Sequence, residues 1–184
     1  MDVPDLQTGD IVCFGDRSWI SRGIKWFTRR WWGEDKTQCS HVGVMNACLT
    51  VCEALAHVEI HPVEPRLAEG WREIYRPVGL TEEQRRAMRE QCNYYKGKRY
   101  GWWKNAAQAA DGLLGGGYIF RRLLFIDNYP ICSWLVAWVF ERCVERNFFD
   151  QRPNAATPDD IHDACQDGER FQLVAAFKNG VRTI

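Results

Sequence analysis

Nothing at the start of this sequence looks like an export signal: MDVPDLQTGD has neither a basic stretch nor an apolar one. The expectation is therefore a reducing, cytoplasmic compartment. Long apolar runs are missing too. The longest, Ile131 to Phe140, is soon closed by Glu141 and Arg142, well short of the ~20 residues needed to span a bilayer. It reads as a buried helix. Neither sign of charge is in excess, since Lys plus Arg and Asp plus Glu come to 24 each. No net field then favours nucleic acid or an anionic membrane, and no nucleic-acid partner is expected. No two cysteines have C-x-x-C spacing, so neither a zinc site nor any other metal or cofactor is expected. The Gly115-Gly116-Gly117 run lacks the Lys-Ser or Lys-Thr of a P-loop, which leaves nucleotide binding unsupported. Repeats and low-complexity tails are absent.

Cysteine and tryptophan are plentiful. Without export, the eight cysteines read as free thiols, several of them acting as small buried hydrophobes. The nine tryptophans, with doublets at Trp31-Trp32 and Trp102-Trp103, suit a core or the wall of an apolar cleft. They also leave peripheral contact with a membrane open. At 184 residues the chain fits one domain, residues 1–184, large enough to bury roughly two-thirds of its unfolded surface.

Along the chain, Asp10 to Phe14 follows Thr8-Gly9 with β-branched and aromatic residues and reads as a short buried strand. Residues 18–29 carry Ile20, Ile24 and Phe27 at helical spacing, and residues 31–38 read as a loop. His41 to Met45 and Leu49 to Leu55 flank an Asn46-containing turn, which predicts an antiparallel hairpin. Val58 to His61 and Trp71 to Val78 suggest two more strands. Thr81-Glu82-Glu83-Gln84 fits a capping box opening a helix that reaches Tyr94. From Lys96 to Asn128, Gly112 and the Gly115–Gly117 run predict helical pieces around a glycine joint. Cys132 to Glu145 reads as a helix after Pro130, and Phe171 to Phe177 as a closing strand.

A thiol attacks well only as thiolate, so a catalytic cysteine needs a basic partner and a site that favours negative charge. Cys132 stands where a helix begins, and free backbone N–H groups there stabilise both a thiolate and a developing oxyanion. Of four histidines only His41 opens a strongly predicted strand. A turn centred on Ala47 would pair Met45 with Leu49 and set His41 directly opposite Glu53, on one sheet face. A carboxylate there fills the third place of a triad by orienting the imidazole and stabilising its charged form. His57 and His61 match no cysteine motif, and His162 reads as part of a short helix capped by Thr157. All three stay outside the triad.

These residues, taken in order, resemble the circularly permuted branch of the NlpC-type, papain-like superfamily, with its amidase-like and lecithin:retinol acyltransferase-like proteins. Gly9-Asp10-Ile11-Val12 is similar to its opening strand, Ser40-His41-Val42-Gly43-Val44 to its histidine strand, and Cys52-Glu53-Ala54 to the strand with the third polar residue. Ile131-Cys132-Ser133-Trp134-Leu135-Val136 resembles the nucleophile helix. Glu53 stands where the acyltransferase branch carries histidine. Lys96-Gly97-Lys98-Arg99-Tyr100-Gly101 resembles a G-x-x-Y segment near the active site, which implies substrate or oxyanion contact for Tyr100. Ser133, beside the nucleophile, is assigned the same kind of role.

The fold expected is α+β in a permuted papain-like topology, an antiparallel sheet packed against helices with the nucleophile at a helix N-terminus. The activity expected is cysteine hydrolysis of an amide through a thioester, by Cys132, His41 and Glu53. A peptide or isopeptide is the first substrate class. A lipid acyl group, hydrolysed or transferred, is the second, and a silent binding domain of the same fold is the rival from another class.

Overall fold

The computed structural model describes residues 4–15, 39–101, 130–144, 149 and 152–184. The helix expected at 18–29, the loop at 31–38, both tryptophan doublets and the glycine joint at 112–117 lie outside them. Seven strands form one sheet: β1 (Ile11–Gly15), β2 (His41–Ala47), β3 (Thr50–Ala54), β4 (Val58–Pro62), β5 (Trp71–Pro77), β6 (Phe171–Lys178) and β7 (Val181–Arg182). Their order is β4-β3-β2-β1-β5-β6-β7, and each neighbouring pair is antiparallel. The described helices are α1 (Glu64–Leu67), α2 (Glu82–Tyr95), α3 (Cys132–Cys143) and α4 (Pro158–Cys165). The fold is α+β.

Successive side chains of a strand point to opposite faces, and here both faces are covered. On one, Ile11, Cys13, Val42, Val44, Cys52 and Tyr75 pack with residues of α2, α3 and α4. On the other, Val12, Phe14, Met45, Val51 and Ile74 pack with Leu6, Val63 and the α1 residue Leu67. This is why β1 reads as unbroken apolar sequence: all five of its residues are buried. Helix α3 is apolar around most of its circumference for the same reason, and Trp134, Leu135, Val136 and Val139 are all buried. Truncating Trp134 to alanine would cost about 3–5 kcal/mol. Among the described residues no helix is long and apolar enough to cross a membrane.

Helix α2 opens on the expected capping box, with Gln84 N–H donating to Thr81 Oγ1 at 3.2 Å and Thr81 N–H to Gln84 Oε1 at 2.9 Å. Helix α4 opens on a second box made by Thr157 and Asp160. The hairpin register differs from expectation. Met45 faces Val51 rather than Leu49, and Val44 faces Cys52, so Gly43 rather than His41 comes opposite Glu53. The cause is a bulge at Asn46, which takes up an extra residue before a tight turn at Cys48-Leu49 closes Ala47 on Thr50. The shift is by two residues, so every side chain keeps its face. A shift of one would have turned Glu53 away from His41.

Candidate active site

His41 is the first residue of β2 and Cys132 the first of α3. Ahead of Cys132, Ile131 is extended (φ −107°, ψ 166°) and offers no side-chain cap, so the first-turn N–H groups are left for other acceptors. The side chains of Cys132 and His41 are hydrogen-bonded. The backbone N–H groups of Val42 and Ser133 also point at the sulfur. His41 Nε2 lies 2.7 Å from Glu53 Oε2, which leaves Nδ1 for the thiol. Glu53 is fully buried while the His41 side chain is 15% exposed. The three expected residues therefore meet, with Glu53 reaching His41 diagonally across the hairpin rather than from the facing position.

That diagonal is possible because Gly43 has no side chain. A Cβ there would lie 2.8 Å from Glu53 Cγ and 2.8 Å from Val51 Cγ2, so the glutamate stem occupies the space a larger residue would fill. Phe14, the β1 partner of His41, puts its ring 5.3 Å from the imidazole. From α1, Arg66 Nε donates to Glu53 Oε1 at 3.2 Å and Arg66 Nη2 to Oε2 at 3.0 Å. His61 on β4 also turns to this carboxylate, its Nε2 3.6 Å from Oε1.

Burial opposes charge on all three groups, and their mutual contacts outweigh it. In Cys132 burial pushes the thiol up, but the His41 charge and hydrogen bond and the two N–H groups bring it below the usual thiol value. Burial pushes His41 down, yet the charge of Cys132 and the contact with Glu53 raise it to about 10. For Glu53, burial pushes the carboxyl up, whereas His41 and then Arg66 pull it down to about 2. The arrangement favours thiolate, imidazolium and carboxylate in a row. Other thiols go the opposite way. Burial lifts Cys13 and Cys39 well above the usual value, a hydrogen bond with Cys52 and burial lift Cys92, and burial with Glu90 takes Cys143 to about 11.

Ser133 is buried, and its Oγ has no hydrogen-bond partner among the described residues; its backbone N–H is the part of it that serves the sulfur. Tyr100 packs on the helix-side core, and the next residue, Gly101, donates its N–H to the Pro130 carbonyl at 3.1 Å, two residues before Cys132. His57 pairs with Arg99 in an isolated bridge. His162 bonds Glu73 at 3.0 Å beneath α4. Arg66, Gly43, Phe14 and the Val42 N–H escaped the sequence reading. Only Gly43 left a trace, as a glycine between two valines of a predicted strand.

No family model matches the chain, and no curated protein matches it in sequence. Among solved structures it is similar to one described as the crystal structure of metalloprotein yiiX from Escherichia coli O157:H7, DUF1105. The two share 19% identity, with 93% of this chain and 97% of that chain covered at a TM-score of 0.65. At that identity the likeness shows the fold alone. It also corrects the resemblance drawn from the motifs: the structural neighbour is described as a DUF1105 metalloprotein, and nothing assigns the chain to the NlpC-type or acyltransferase-like superfamily. The motifs that suggested it are short, and a strand after Gly-Asp or a histidine at a strand start fits many sheets. Among the described residues no group of three or more His, Cys, Asp or Glu side chains is arranged to hold a metal ion. The neighbour's metal is accordingly not carried over to this chain.

Proposed function

We propose that the protein is a cysteine hydrolase that cleaves an amide through a thioester, with Cys132 as nucleophile, His41 as acid and base, and Glu53 as the group that orients His41. The observation supporting this is the row Cys132, His41, Glu53, buried at a helix N-terminus, with the thiol lowered and the imidazole raised. The thiolate would attack the carbonyl carbon, and the tetrahedral oxyanion would lie near the N–H groups of the first turn of α3. His41 would give its Nδ1 proton to the leaving amine as the C–N bond breaks, leaving a thioester. A water, deprotonated by His41, would then attack that thioester and release the acid and the thiol. A peptide or isopeptide is the substrate class of this reading, and Tyr100 its nearest candidate for substrate contact. On this reading the base strand comes before the nucleophile helix in the chain, the order that a permuted papain-like topology would have. A reducing compartment such as the cytoplasm suits a mechanism that needs a free thiol.

Alkylation with iodoacetamide tests this without a known substrate. At near-neutral pH Cys132 should be labelled at least about tenfold faster than the other seven cysteines, and Cys132→Ala should remove both the fast label and any turnover while the fold survives. All eight cysteines should react once the protein is unfolded without reductant. Slow, even labelling of the native protein would favour a silent binding domain. Fast labelling together with acyl release only from lipid esters would move the substrate to the lipid class.

A further inference from the structure

Glu53 poses a problem that the triad does not solve. A buried carboxylate 2.7 Å from an imidazolium can discharge both partners by taking the proton, because a neutral pair escapes the desolvation cost that two ions bear in a low-dielectric interior. A neutral His41 would no longer hold Cys132 as thiolate. Something must make the carboxylate a poor proton acceptor.

Resting on the hydrolase reading, we propose that Arg66 is a positioning residue that keeps the proton of the pair on His41 by holding both oxygens of Glu53. Its two charge-assisted bonds, 3.2 Å to Oε1 and 3.0 Å to Oε2, form a fork that a lysine cannot reproduce. They stabilise the carboxylate over the acid, and they fix the rotamer that aims Oε2 at His41. Arg66 acts through Glu53, not on a substrate, for Glu53 is fully buried beneath it.

The clamp is itself held on three sides. Pro65 helps start the single turn of α1 that carries it. Arg72 Nε donates to the Arg66 carbonyl at 2.8 Å. The guanidinium of Arg66 lies 4.9 Å from the centre of the Phe14 ring, which has Arg72 at 4.9 Å as well and which borders His41. The charged or titratable groups facing Glu53 are His41 from β2, Glu59 and His61 from β4, and Arg66 from α1. Arg66 alone among these has a permanent positive charge. It also repels imidazolium across the shared Oε2, so the experiment must show which effect wins.

The measurement is the rate of Cys132 alkylation by iodoacetamide against pH, on the full chain. Without Arg66, Glu53 should bind a proton at higher pH, His41 should lose its partner there, and the thiolate should be lost with it. Arg66→Met should therefore move the acid-side midpoint up by about one pH unit or more, with labelling at a fixed pH on the limb below the wild-type midpoint falling about tenfold. Arg66→Lys should lie between Arg66→Met and wild type. On a Glu53→Gln background, Arg66→Met should change the rate less than about twofold, since the charge it serves is gone. A merely structural arginine would lower the melting temperature on either background and leave the midpoint in place, which would overturn the proposal. A midpoint displaced to lower pH would overturn it too, by showing that the repulsion dominates. If Arg66→Met does not fold, Arg66→Lys decides, and an unmoved midpoint in that variant is the adverse result. Slow labelling of wild-type Cys132 would instead defeat the hydrolase reading. Fast wild-type labelling with unshifted Arg66 variants would defeat this inference alone.

Discussion

Glu53 is fully buried, yet the residues around it favour its charged form. Burial alone would push the carboxyl up, yet the contact with His41 and then Arg66 takes it down to about 2. If its charge stabilises imidazolium, Glu53→Gln keeps a hydrogen bond to the ring but loses the Coulomb interaction that strengthens as His41 becomes charged. Turnover should then fall more than substrate binding does, so that kcat drops with KM nearly unchanged. The pH profile of Cys132 alkylation should lose its low-pH reach in the same variant. Glu169, exposed on the turn before β6, is the control, and Glu169→Gln should leave both measurements near wild type. Equal effects of the two substitutions would reduce the site to Cys132 and His41.

At the scale of elements, the β2–β3 hairpin and the α3 N-terminus decide whether the three side chains meet. Gly43 is the hinge of that argument. An added methyl would sit 2.8 Å from both Glu53 Cγ and Val51 Cγ2 and 3.2 Å from the Cys52 carbonyl oxygen, distances that ordinary packing does not tolerate. Gly43→Ala should therefore destabilise the fold by about 1–3 kcal/mol and, by pushing Glu53 off His41, slow Cys132 labelling in the population that remains folded. At Gly168 a Cβ would meet nothing within 4 Å, so Gly168→Ala should change neither unfolding midpoint nor labelling. The hairpin also shows where sequence reading works. The apolar, β-branched runs His41–Met45 and Leu49–Leu55 on either side of a turn identified both strands, and parity put His41 and Glu53 on one face. The bulge at Asn46 was invisible, because a bulge is set by how the turn closes rather than by side-chain period. Helices α2 and α4 were legible through Thr81 and Thr157, whose capping chemistry is local. Arg66 was not, since its role depends on a connection after β4 that returns α1 beneath β3. Such returns leave no periodic signature.

In the whole molecule, one sheet covered on both faces buries several ionised groups, which ties stability to pH through linkage. Glu53 is held at about 2 in the fold and titrates near 4.3 in an unfolded chain. A carboxyl lowered on folding contributes stability that is present above its unfolded value and lost as pH falls through its folded one. Its contribution should therefore disappear between about pH 4.5 and pH 2, and on the scale of buried paired carboxylates it amounts to about 1–3 kcal/mol. Glu73, lowered through His162 and Tyr75 against the pull of its own burial, adds to the same acid loss, so Glu53 accounts for only part of it. His41 has the opposite sign. Raised to about 10, it contributes fully below its unfolded value near 6.5 and loses that contribution progressively as pH rises from there to about 10. Urea unfolding at fixed ionic strength is the measurement, with the midpoint followed from pH 7 to pH 2.5. The wild-type midpoint should fall steeply below pH 4.5, and Glu53→Gln, less stable at pH 7, should fall less steeply, so that the two curves converge in acid. Parallel curves would mean that Glu53 has the same proton affinity folded and unfolded, and the buried ion pair with His41 and Arg66 would not be the state of the protein in solution.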